Sequence, residues 1–160
     1  MRITALRATP VAVPFREDEV WAFGARRGMV SILLEVDTDA GLVGIGEAAA
    51  YPSAEIVLAV IRSIEPLVLG EDAFAIERIM KRINIVGTWH HVKATNPGIA
   101  AVEMACWDLI GKAAGQPLVN LFGGRSATAS STSTTSAASR PRRSAPTPVG
   151  GSRPDSARCI

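Results

Sequence analysis

Residues 98–125 read GIAAVEMACWDLIGKAAGQPLVNLFGGR. Ile99, Val102, Cys106, Leu109 and Ile110 recur at three- and four-residue spacing, which predicts an amphipathic helix ending near Ala114. Asn96-Pro97 supplies a cap followed by proline at the first helical position. Gly115 suits the helix stop, and Pro117 is expected to prevent a restart. A short apolar connector then closes at Arg125. The next stretch, SATASSTSTTSAASRPRRSAP, has no apolar period. The folded part is therefore expected to span residues 1–125.

Composition divides at the same point. Residues 1–125 carry 12 Lys/Arg and 14 Asp/Glu, so the net charge of +2 comes from the other segment. Residues 126–160 carry five Arg and one Asp, and 14 of these 35 residues are Ser or Thr. A segment with so little apolar surface cannot offset its ordering entropy, so 126–160 is predicted to be a disordered Ser/Thr/Pro/Arg-rich tail. The two cysteines, Cys106 and Cys159, form no disulfide framework. The N-terminus alternates rather than presenting an apolar block, and no run reaches the ~18–20 residues of a membrane span. A cytoplasmic location, with no membrane partner, is the expectation.

Working back from the helix, residues 2–13 (RITALRATPVAV) alternate in part and predict a first strand, with Pro10 at an edge or bulge. PFREDEVWAFGARRGM reads as a loop. VSILLEV (30–36) and LVGIGEA (42–48) predict two further strands joined by a turn at Asp37–Gly41. The period then changes. Ser53 can cap a helix to about Leu69, with Ile56, Val60 and Ile64 beside Val57 and Ile61 as its apolar stripe and Pro66 bending or ending it. Asp72 can cap a second helix that turns Phe74, Ile76, Ile79, Met80 and Ile83 inward. Strands followed by helices predict an α+β fold: a three-stranded antiparallel meander, then a three-helix layer.

Several residues carry candidate chemistry. GIGEAA (44–49) fits the loose dinucleotide pattern. That fingerprint needs a helix to start in the loop, and Tyr51-Pro52 interrupts one, so close backbone approach at the glycines is the better reading. Trp89-His90-His91 places two imidazoles side by side, where they diverge, and no Cys or carboxylate pair accompanies them at metal spacing. Glu103 and Asp108 are five apart and share no face, so a solvated face or a helix-end interaction is expected. Ser53 lacks a neighbouring His to activate it. Arg140, Arg142 and Arg143 lack the aromatics and scaffold of a nucleic-acid site, so no nucleic-acid partner is expected. The segment from Phe15 to Met29 carries Trp21, Phe23, Arg26 and Arg27. Aromatics with guanidinium groups on a connector suit an anionic ligand. A packed loop with ordinary exposed arginines accounts for the same residues.

GLVGIGEAAAYP (41–52) followed by residues 98–125 resembles the N-terminal capping domain of the mandelate racemase/muconate lactonizing enzyme family, in the enolase superfamily. The resemblance implies an active site shared with a (β/α)-barrel that follows the Gly-Gly-Arg. There a base and Mg²⁺ held by three carboxylates abstract a proton α to a substrate carboxylate, as in acid-sugar dehydratases, racemases and cycloisomerases. It also implies that the loop holding Trp21, Phe23 and Arg26, and the loop Ala49–Pro52 with Tyr51, close over a small carboxylate substrate. No Lys follows Lys112, and Asp155 is the one carboxylate after Asp108. No catalytic residue, no metal ligand and no bound Mg²⁺ are therefore expected in this chain, and turnover is not expected from it.

Codon degeneracy offers one account of the break. A shifted frame across Ser126–Ser131 permits Arg-Asp-Arg-Val-Glu, which suits the family's barrel start. On that reading the chain is a cap cut off by a frameshift, and its barrel-facing surface is left to self-associate. The other reading is a standalone α+β binding module with a disordered basic tail.

Overall fold

The computed structural model describes residues 1–87 and 92–125. Trp89-His90-His91 and the tail lie outside the described residues. Three strands form one antiparallel sheet in the order β1-β2-β3: β1 (Ile3–Trp21), β2 (Gly24–Thr38) and β3 (Val43–Ala49). Among the described residues four helices follow: α1 (Ala54–Val68), α2 (Ile76–Gly87), α3 (Val92–Ala114) and the single turn α4 (Leu118–Leu121). The α+β meander followed by helices is as the sequence predicts.

The core lies between one face of the sheet and the helices. Alternation along β2 buries Ile32, Leu34 and Val36 while Leu33 stays exposed. Against them pack Val57 and Ile61 of α1, Ile79 and Ile83 of α2, and Val102, Cys106 and Leu109 of α3. Two small-residue rows bring α3 close to β3. A Cβ on Gly44 would lie 2.3 Å from the Ala105 carbonyl oxygen, and one on Gly46 would lie 1.9 Å from that of Ala101. The glycines of GIGEAA therefore serve helix packing within a strand, not a phosphate loop.

The main departure from expectation is at residues 14–29. They form no loop. β1 and β2 continue as a two-stranded ribbon to a two-residue turn at Ala22-Phe23, with Trp21 opposite Gly24 and Glu19 opposite Arg26. Polar and apolar residues mix on both faces of an exposed ribbon, so it carries no alternation to read. Pro10 does lie on an edge strand. Val30 accepts a bond from Ala50 N–H and so faces β3. By the alternation of the ladder, Pro10 and Pro14 then occupy positions whose N–H would point away from β2, where its loss leaves the ladder intact.

The helix limits also differ in places. In α1 the buried stripe is Val57, Ile61, Ile64 and Val68, and Ile56 faces solvent. Ser53 caps this helix, accepting from Ile56 N–H at 3.4 Å, and Pro66 sits inside the last turn without ending it. Asp72 does not cap α2. It accepts from Phe74 N–H at 3.2 Å in a turn before the helix, which leaves Phe74 exposed. α3 begins at Val92, so Asn96-Pro97 lies inside it. It closes as expected: Gly115 has φ +62°, its N–H reaches Lys112 O at 3.2 Å, and Gln116 N–H reaches Gly111 O at 3.0 Å. Those two bonds satisfy carbonyls that a helix end otherwise orphans. Pro117, however, does not prevent a restart, because it stands as the N-cap of α4.

Candidate functional site

Two projections leave the same end of the sheet. One is the outer ribbon, and the other is the segment after β3, tied to the ribbon base by the Ala50 N–H to Val30 O bond of 3.2 Å. The ribbon is shaped by a bulge. Between the pairs Pro14–Gly28 and Glu19–Arg26, β1 has four residues where β2 has one. Such an insertion twists and re-aims the strand. Gly28 permits the narrow passage below it, since a Cβ there would lie 2.7 Å from Val13 O.

The bulge gathers the charged groups. Arg26 donates through Nε to Glu19 Oε2 at 2.5 Å, and its guanidinium carbon stands 5.5 Å from the centroid of the Phe15 ring. Arg27 Nε reaches Asp18 Oδ2 at 3.4 Å. Glu19, Trp21 and Arg26 line a shallow recess near the tip. Trp21 is half-exposed, its ring lying across Gly24 at 3.5 Å from where a Cβ would be. Phe23, at 95% exposure, stands free at the turn. Tyr51 is also exposed, at 74%, but it sits at the ribbon base. Val30 marks that base and is four residue steps from Arg26, so about 13 Å of strand lies between them. The structure thus brings Trp21 and Arg26 together, and leaves Phe23 and Tyr51 at opposite ends of the projection.

Residue spacing alone did not show Phe15 or Glu19 as partners of Arg26. The signal was present: a two-residue turn at 22–23 pairs residue 19 with residue 26. It was hidden because the segment reads as a loop. Ser31 and Glu47 were missed too. The Ser31 hydroxyl donates to Glu47 Oε1 at 2.6 Å near the ribbon base, and Ser31 is buried there.

Asp108 corrects another expectation. Its side chain is partly exposed and pairs with Lys112 in the last turn of α3, and it also reaches a strand, which a solvated face does not account for. Its Oδ2 accepts from Ile45 N–H at 2.8 Å and from Lys112 Nζ at 2.6 Å, and Lys112 also donates to Val43 O at 2.7 Å. Helix α3 therefore satisfies polar groups along the open edge of β3, an edge that would otherwise invite strand addition.

The described residues do not fit a Mg²⁺ site. Among them no group of three or more His, Cys, Asp or Glu could hold a metal. Three of the carboxylates are committed elsewhere: Asp37 to Arg7, Glu71 to Arg78 and Arg82, and Asp108 as above. Octahedral oxygen coordination needs carboxylates turned toward one point. The one thiol among the described residues is unreactive by placement, since burial, with a smaller contribution from Glu103, pushes Cys106 up to about 12.

The family described as mandelate racemase / muconate lactonizing enzyme, N-terminal domain, matches residues 3–123. The chain belongs to this family. N-succinyl-L-Arg/Lys racemase of Bacillus cereus is 30% identical over 131 residues, covering 78% of this chain and 34% of the relative. D-mannonate dehydratase of Rhizorhabdus wittichii is 38% identical over 96 residues, covering 59% of this chain and 24% of the relative. Among solved structures, a dipeptide epimerase from Enterococcus faecalis, crystallised with Mg and the dipeptide L-Leu-L-Tyr, superposes with a TM-score of 0.69 at 26% identity. That match covers 78% of this chain and 35% of the epimerase. The chain thus spans between about a quarter and about a third of the length of these relatives.

Proposed function

We propose that residues 1–125 are the capping domain of a Mg²⁺-dependent enzyme that abstracts a proton α to a substrate carboxylate. The observation that carries this reading is the pair of projections leaving one end of the sheet, within a chain of this family. The ribbon tip carries Trp21, Phe23 and Arg26, and the post-β3 segment carries Tyr51. On this reading the two cover the substrate from either side, and Arg26, held by Glu19 over Phe15, faces a carboxylate. Their part is to select substrate and exclude water. The names of the relatives, a racemase of N-succinyl amino acids and a dehydratase of mannonate, agree with a small carboxylate substrate.

On this reading the base and the metal ligands belong to the barrel, and the described residues offer no metal site, so the 160-residue chain is expected to be inactive. The test is α-proton exchange in deuterated water with Mg²⁺, using N-succinyl amino acids, dipeptides and aldonic acids. No exchange is expected, and catalysed exchange by the purified chain refutes the reading. Sequencing the coding DNA beyond codon 125 tests its other half. A long frame opened by a one-base shift, with a Lys-x-Lys or equivalent motif and three spaced acidic strand ends, identifies the chain as a cut-off cap of such an enzyme. The uncovered apolar surface is expected to give weak, concentration-dependent self-association.

The abrupt composition change at Arg125 favours a second reading, a binding module with a functional basic tail. Truncation after Arg125 separates the two: it weakens partner binding under the second and changes nothing under the first.

A further inference from the structure

β2 carries two adjacent arginines in the ribbon, and they are held differently. Arg27 is 89% exposed and reaches Asp18 at 3.4 Å. Arg26 is fixed from two sides: Glu19 accepts from its Nε at 2.5 Å, and the Phe15 ring centroid lies 5.5 Å from its guanidinium carbon. Among the described residues neither Nη group of Arg26 donates a hydrogen bond. A guanidinium already oriented, with one fork open, loses little freedom when a carboxylate enters that fork. The bulge is what brings Phe15 under Arg26, so the arrangement is built into the strand pairing.

The face around Arg26 decides what that carboxylate is attached to. By the alternation of β2, Arg26 shares its side of the sheet with Gly28, Val30 and the buried Ile32. Opposite Gly28 and Val30 stand Pro14 and Ala12 of β1. These four residues line an apolar hollow between the core and Arg26, and Trp21 lines the recess beyond it. None of the four has a hydroxyl, amide or charged side chain. A ligand arm laid along them keeps its binding free energy if it is alkyl or acyl. A polyhydroxylated arm gives up water there and gains no side-chain partner from the ribbon. We infer that the ribbon binds the far end of the substrate as a second carboxylate on an apolar arm. The inference rests on the cap reading above and names its substrate class. On that reading the reacting carboxylate lies with Mg²⁺ in the barrel, so the carboxylate on Arg26 is a different one. The class is dicarboxylates with an alkyl or acyl spacer, not polyhydroxylated acids.

Nitrogen-15 NMR spectra of the 160-residue chain test this, read at Arg26 Nε–H and at the Trp21 indole N–H. The probes are hexanoate and D-mannonate, which match in charge and carbon number and differ in their hydroxyl groups. Hexanoate is expected to shift both signals in a saturable way, and mannonate to bind more weakly by a factor of about five or more. Arg26→Gln is expected to abolish the hexanoate response at Trp21. Arg27→Gln, next along the strand and on its other face, is expected to leave it unchanged. Unshifted amides at Ile32 and Leu34 in the core show that both variants keep the fold.

Equal responses to the two probes overturn the inference. So does a hexanoate response that survives Arg26→Gln, and so does the absence of a response at both signals. The cap reading fails independently. An Arg26-dependent hexanoate response, with no barrel frame beyond codon 125, keeps the carboxylate subsite and removes the cap. A barrel frame, with mannonate binding as well as hexanoate, keeps the cap and removes the substrate class.

Discussion

Gly46→Ala is expected to be the most damaging single-methyl addition in the sheet. The new Cβ would stand 1.9 Å from Ala101 O and 2.8 Å from its carbonyl carbon. Ordinary contact begins near 3.4 Å, so α3 would have to recede from β3 by about 1.5 Å. Neither side can yield by a rotamer change, because both are backbone. Recession would lift Val102, Cys106 and Leu109 from the layer they fill, and a gap of 0.5–1 Å already forfeits about a quarter to a half of the contact attraction. Overpacking ordinarily costs about 1–3 kcal/mol. Here at least ~3 kcal/mol is expected, against a total stability of about 5–15 kcal/mol. That corresponds to a melting temperature lower by roughly 10 °C or more. Thermal and urea unfolding followed by circular dichroism measures it. Gly41→Ala is the control: Gly41 has φ +74° and nothing within 4 Å, so its loss comes from backbone strain alone, about 1–2 kcal/mol. If Gly46→Ala melts within 3 °C of the parent, or no lower than Gly41→Ala, the close packing of α3 on β3 is not what the glycine serves.

Three further outcomes are expected. Asp108→Ala removes the acceptor of Ile45 N–H and the partner of Lys112. It should lower stability by about 1–3 kcal/mol and speed exchange of the Ile45 amide at least ten-fold by NMR, with Asp108→Asn recovering part of both. Cys106, buried and pushed up to about 12, should resist a thiol reagent at pH 8 until the chain unfolds. Cys106 then labels only in urea, as peptide mapping would show; its rapid labelling in the native protein would contradict the burial. Asp72 is held below the usual carboxylate range by the Phe74 N–H, with help from the N-terminal ammonium. Because its folded value is the lower one, its contribution is present above about pH 4 and fades as pH falls through that folded value. The urea midpoints of the parent and Asp72→Asn should therefore differ at pH 6 and draw together as the pH is taken progressively below 4; a gap that stays constant would refute the assignment.

Local chemistry determined much of this protein before any tertiary contact is considered. Two β-branched, apolar runs at 30–36 and 42–48, joined by a short turn, mark two strands. The Gly115 stop of α3 follows from a backbone position that takes positive φ. The glycines of GIGEAA were legible as close-approach positions because Tyr51-Pro52 rules out the helix that a phosphate loop needs. Trp21 and Arg26 were legible as neighbours in the chain, though not as groups held by Glu19 and Phe15. The family, too, was visible in residues 41–52 and 98–125.

Only the tertiary structure decided the rest. An exposed ribbon buries neither face, so residues 14–29 carry no period, and their pairing shows only through register with the strands that anchor it. The stripe of α1 includes Val57 and excludes Ile56 because the rotation of a helix about its axis is set by its neighbours, and both residues are equally apolar. Asp108 is an edge cap of β3 because the fold places Ile45 N–H, 63 positions away in the chain, within 2.8 Å. Periodicity describes which residues are buried together on one element. It says nothing of which polar group of another element will arrive beside them, and that arrival gives Asp108 and Glu19 their partners.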